Sequence, residues 1–118
     1  MNERDKNNLK RIEREAGFVI KKTDGYNLER FLHDDLLQHG ISMALINIGE
    51  SVKKLSEDFK HEHQDIDWSE IIGLRNLAVH NYDGLHLDRI WGNVTKDVPE
   101  LLAQVQEILL AEGVEKGK

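Results

Sequence analysis

The chain has 118 residues with one proline and no cysteine, and 32% of its residues are charged. That length suits a single domain, residues 1–118, which can bury enough surface to fold without crosslinks, and the missing cysteines exclude a disulfide scaffold and a thiolate zinc site. With 16 Lys and Arg against 22 Asp and Glu the net charge is −6, so the chain as a whole does not attract polyphosphates, and any nucleic-acid role must rest on a local patch.

Apolar residues recur at helical rather than alternating spacing almost throughout, without an internal repeat or low-complexity tract, and this predicts an all-α domain. The first helix is expected over about residues 4–22, with Leu9, Ile12, Ala16, Val19 and Ile20 on one face and Asp24-Gly25 as the turn that ends it. Residues 1–22 hold seven basic and four acidic residues, whereas the remainder holds nine and 18. Taken alone, this bias describes an ordinary solvated helix better than a dedicated binding arm.

Asn27 can cap a second helix, and from Ile41 the spacing alternates four and three through Leu45, Ile48, Val52 and Leu55, which predicts a long helix with a coiled-coil-like seam. Leu36, Met43 and Ile46 lie off that seam, so the helix either forms the centre of a bundle or meets a second subunit. Residues 56–67 are polar and aperiodic and read as a loop. Within them His61-Glu62-His63, with Asp65 and Asp67, has no fixed spacing that would hold a cation, and no metal is assigned.

A third helix is expected from Trp68, through Ile71, Ile72, Leu74 and Leu77, up to the interruption at Asp83-Gly84. Leu87, Ile90, Trp91 and Val94 predict a fourth helix, and Pro99 suits the first turn of a last one bearing Leu101, Leu102, Val105, Ile108 and Leu109. The expected architecture is a compact bundle of about five helices. No segment reaches the roughly 18 uninterrupted apolar residues of a membrane span, and Met1–Lys6 lacks a signal peptide's apolar stretch, so a soluble cytoplasmic protein is expected.

The chemistry concentrates in Arg75-Asn76-Leu77-Ala78-Val79-His80-Asn81-Tyr82, which crowds polar side chains into one helix end. On an ideal helix Arg75 and His80 diverge by about 140°, so they address one point only if the helix breaks near His80. Asn76 and His80 are four apart and share a face, which would let the amide orient the imidazole. A structural account of the same residues also exists: an ion-paired Arg75, a His80 favoured by the helix dipole, and a packing Tyr82.

Trp68-Ser69-Glu70-Ile71-Ile72-Gly73-Leu74-Arg75-Asn76 followed by Val79-His80-Asn81-Tyr82 resembles the signature of HepT-like toxins, a branch of the HEPN superfamily of helical ribonucleases. Ile48-Gly49-Glu50-Ser51, Trp91 and Asp97-Val98-Pro99-Glu100-Leu101 extend the resemblance, which covers about residues 28–110. It implies a HEPN-like homodimer that brings two motifs into one cleft, with Arg75 and His80 as the catalytic pair in a metal-independent RNA endonuclease, Asn76 supporting them and no cofactor. It further implies a toxin–antitoxin pairing in which a nucleotidyltransferase antitoxin silences the nuclease by transferring AMP to Tyr82. The alternative is a non-catalytic HEPN module that binds a nucleotidyltransferase or a nucleotide.

Overall fold

A computed structural model describes residues 1–81 and 86–113. Among them are six helices and no strand: α1 (Glu3–Thr23), α2 (Leu28–Leu32), α3 (Asp35–Lys54), α4 (Glu57–Glu62), α5 (Trp68–Val79) and α6 (Leu87–Ala111). The all-α expectation holds, and the helix count differs from five for three local reasons.

The chain after Asn27 forms two helices. Asn27 accepts from the Arg30 amide at 2.8 Å, but the helix it starts is α2, only five residues long. Asp34 then caps α3 by accepting from the Leu37 amide at 3.0 Å, and its other oxygen accepts from the Tyr26 hydroxyl at 2.8 Å. A carboxylate held from both sides restarts the helix in a new direction. The buried Phe31 anchors α2, its ring 5.0 Å from that of Trp91 on α6.

The segment read as a loop contains α4, which forms because Ser56 accepts from the Phe59 amide while Asp5 of α1 accepts from both the amide (2.8 Å) and hydroxyl (2.7 Å) of Ser56. Its single buried anchor is Phe59. One anchor gives no periodicity to read.

The fourth and fifth expected helices are one. Ile90, Val94, Val98, Leu101, Val105 and Leu109 form a continuous buried stripe along α6, and Pro99 sits in its interior on the exposed face, not in a first turn. The Thr95 carbonyl consequently has no amide from residue 99, while the Thr95 hydroxyl donates to the Trp91 carbonyl at 3.0 Å.

At the centre, α3 packs against α1 on one side and α5 on the other, and α6 lies across α1. The expected seam is buried from Ile41 through Leu55, and on the predicted core face of α1 Leu9, Ile12, Ala16 and Val19 are buried while Ile20 is half-buried. Off the seam, Leu36 is 82% and Met43 56% exposed. Among the described residues no helix is long and apolar enough to cross a membrane.

Replacing Pro99 with Ala restores a helical donor to Thr95 and removes the ring's clash. The interior-proline penalty of about 3 kcal/mol, less about 1 kcal/mol of proline's restraint on the unfolded chain, predicts a net gain of about 2 kcal/mol for Pro99→Ala. Urea unfolding measures it, and the midpoint is expected to rise.

Candidate active site where α5 crosses α3

The helix that carries the polar cluster is fixed at its start. Asp67 accepts from the Glu70 amide (3.1 Å) and the Ser69 hydroxyl (2.7 Å), while the Trp68 indole donates to the His63 carbonyl at 3.1 Å. The Ser69 hydroxyl and then the Glu70 amide hold the Asp67 carboxyl below the ordinary range, so the ionised cap persists at neutral pH and is lost as pH falls below the usual carboxylate range. In the same first turn Asp97 of α6 raises the Glu70 carboxyl, first by its charge and then by a hydrogen bond.

From this start Trp68, Ile71, Leu74 and Ala78 face the core, and Arg75 is carried onto α3 at Gly49. A Cβ at position 49 would overlap the Cβ of Arg75 and lie 2.6 Å from its Cγ, so the crossing needs glycine for its missing side chain. The guanidinium then reaches Glu50, whose Oε1 accepts from Arg75 Nε at 2.8 Å, and Asn76, whose Oδ1 accepts from Nη1 at 2.9 Å. Arg75 retains 26% side-chain exposure and Glu50 38%. Two side chains thus hold Nε and Nη1, and Nη2 has no partner among the described residues.

The helix does end at His80. His80 is the C-terminal cap of α5, at φ −91° and ψ 8°, with its amide donating to the Asn76 carbonyl at 3.1 Å and its side chain exposed. The Asn76 amide oxygen, expected to orient the imidazole, engages the guanidinium instead. Arg75, Asn76 and Glu50 are brought together by hydrogen bonds, and His80 stands one turn further on at the open end of the helix. Beyond it, Asn81 Oδ1 accepts from the His86 amide at 2.7 Å and ties together the two ends of the segment 82–85. Tyr82, the implied AMP acceptor, lies outside the described residues.

Sequence reasoning assigned no role to Gly49, Glu50 or Asn81. The signal was the run Ile48-Gly49-Glu50-Ser51, which entered only as part of a resemblance. Among the described residues no three His, Cys, Asp or Glu side chains gather as metal ligands, and His61 is engaged with Gln64 at 2.9 Å.

The profile of the family described as "Ribonuclease HepT-like" matches residues 7–108. A protein of Caldanaerobacter subterraneus subsp. tengcongensis named "Putative RNase TTE0752" is 38% identical over 104 residues, covering 88% of this chain and 93% of that one. "Putative RNase MJ1380" of Methanocaldococcus jannaschii is 31% identical, covering 77% of this chain and 84% of its own. "Probable ribonuclease HepT" of Thermococcus cleftensis is 34% identical over 80 residues, 68% of this chain and 73% of its own. No solved structure matches the chain.

The two helical glycines nearest the cluster are predicted to respond oppositely to alanine. Gly49→Ala forces α3 and α5 apart and is expected to lower stability by about 1–3 kcal/mol, the usual range for overpacking. Gly73→Ala, on α5 with nothing within 4 Å of an added Cβ, is expected to raise it by about 0.5–1 kcal/mol. Urea unfolding of the two variants checks the signs.

Proposed function

The chain belongs to the HepT-like ribonuclease family of the HEPN superfamily, and on that premise we propose that it is an endoribonuclease in which Arg75 clamps the scissile phosphate and His80 moves the proton. The observation that carries the reading is the preparation of Arg75: a guanidinium set over Gly49, oriented by Glu50 and Asn76, with Nη2 turned to no neighbour among the described residues.

RNA carries its own nucleophile. A base removes the proton from the 2′-hydroxyl, O2′ attacks the adjacent phosphorus, and the 5′-oxygen leaves with a proton, giving a 2′,3′-cyclic phosphate and a free 5′-hydroxyl. No step requires a metal. The imidazole of His80, exposed at the end of α5, can accept or donate that proton. The N–H groups of Arg75 that Glu50 and Asn76 leave unengaged donate to phosphate oxygens, and the guanidinium charge opposes the charge that builds in the transition state. Glu50 and Asn76 are positioning residues in this scheme, because they touch the guanidinium and not the substrate.

A homodimer would place two such motifs on one cleft and double the positive charge available to the phosphate. The exposed Leu36 and Met43 on α3 support self-association by leaving apolar surface uncovered. We assign the protein to a toxin–antitoxin pair in which a nucleotidyltransferase antitoxin transfers AMP to Tyr82. Each AMP brings about one negative charge next to a phosphate subsite, and that charge competes with RNA for Arg75.

His80→Ala and Arg75→Ala are each expected to reduce cleavage of total RNA by about 10²–10⁴ in the presence of EDTA, with unchanged thermal midpoints. Undiminished cleavage by His80→Ala overturns the mechanism. Tyr82→Phe is expected to retain nuclease activity but gain no adenylate mass when incubated with the partner enzyme and ATP, whereas the unsubstituted protein gains it. Intact-mass spectrometry reads this, and equal gain by both moves the acceptor elsewhere.

A further inference from the structure

The outward face of α1 carries an unbalanced row of cations on a protein of net charge −6. Leu9, Ile12, Ala16 and Val19, all fully buried, define the inward direction of the helix. At about 100° per residue, Lys10, Arg14 and Lys21 fall within about 40° of the opposite direction, and all three are exposed. Arg4, Arg11 and Lys22 flank the row.

The tertiary structure removes the acids that would balance it. Of the four acidic residues on α1, Asp5 is buried and bonded to Ser56, Glu13 is buried, and Glu15 turns to α3, where it accepts from Asn47 at 3.3 Å. Only Glu3 faces outward, and it pairs with Lys6. Among the described residues Arg4, Lys10, Arg11, Arg14, Lys21 and Lys22 form no ion pair. Lys10 and Arg14, four apart, repel each other along the helix. An ordinary solvated helix relieves such repulsion with interleaved carboxylates on the same face, and this one has moved its carboxylates away.

We propose that the outer face of α1 is a binding surface for the phosphate backbone of single-stranded RNA, with Lys10, Arg14 and Lys21 as its principal contacts. The inference rests on the ribonuclease reading for the identity of the polyanion. Charge complementarity carries it: a row of unpaired cations along a helix about 30 Å long matches a regularly charged chain, and Lys and Arg so placed hold the backbone without reading bases. The row is separate from the cleavage site, since α1 and α5 pack on different sides of α3. It therefore supplies affinity for long RNA and contributes nothing to a dinucleotide.

The experiment compares the unsubstituted protein with Lys10→Gln/Arg14→Gln/Lys21→Gln and with the charge-matched control Lys53→Gln/Lys54→Gln/Lys96→Gln. Binding of a fluorescently labelled single-stranded RNA of about 20 nucleotides is followed by anisotropy across a salt series, on a His80→Ala background so that the RNA survives. With about 0.7 counterions released per phosphate contact on a single strand, the α1 variant is expected to lower the salt slope by about two and weaken binding at least tenfold at low salt. The control is expected to leave the slope unchanged. In the cleaving protein the α1 variant raises KM for the long RNA without altering kcat or the cleavage of a dinucleotide. An unchanged slope, or an equal fall in the control, overturns the proposal. Loss of binding to polyglutamate with RNA binding intact also overturns it and assigns the face to an acidic protein. If RNA binds through α1 but the unsubstituted protein cleaves nothing, the nuclease reading fails while the surface stands.

Discussion

Arg75 can lie where it does only because residue 49 has no side chain. Its Cβ and Cγ occupy the space a Cβ on α3 would fill, so the backbones of α3 and α5 approach more closely there than alanine would allow. The rest of the site follows from that approach. It brings the guanidinium within 2.8 Å of Glu50, the next residue on α3, and leaves Asn76 beside it to take Nη1. A larger residue at 49 would displace the helix, and with it the direction in which the guanidinium points.

The ion pair between Arg75 and Glu50 is a matter of direction more than of stability. Both side chains keep substantial exposure, and pairs so placed contribute about 0–1 kcal/mol. Stability comes from the buried seam of α3 and the stripes of α1 and α6 that pack around it. In the proposed mechanism this division is useful. The bundle holds the helices rigid, and the polar groups at their surface are left free to meet a phosphate.

Helix ends do much of the positioning. Asn2, Asn27, Asp34, Ser56 and Asp67 each accept a backbone amide and start a helix, whereas α6 has no side-chain cap of its own. The amide of its leading residue, His86, is taken by Asn81 instead, so the end of α5 and the start of α6 are joined across residues 82–85. His80 sits directly before that junction. Its placement depends on where α5 stops, and the junction governs where α6 can begin.

The amino-acid sequence by itself determined the all-α class, the extent of α1, the start of α5 at Trp68, the seam from Ile41 to Leu55, and the cluster from Arg75 to Tyr82. These signals are local or repeat every three to four residues, so they survive without any knowledge of neighbours. The end of α2 and the whole of α4 were not legible, because each helix is anchored by one aromatic residue, Phe31 or Phe59, and has a boundary set by a carboxylate that reaches its partner through space. Pro99 was misread because a proline's local geometry is the same in a first turn and on the exposed face of a long helix; the unbroken stripe from Ile90 to Leu109 decides between them. Gly49 and Glu50 acquired their relation to Arg75, and the acids of α1 their direction away from the cation row, only through tertiary contact. Steric fit and hydrogen bonding act over a few ångströms of space, and residues 25 positions apart on two helices come within that range only after the helices have packed.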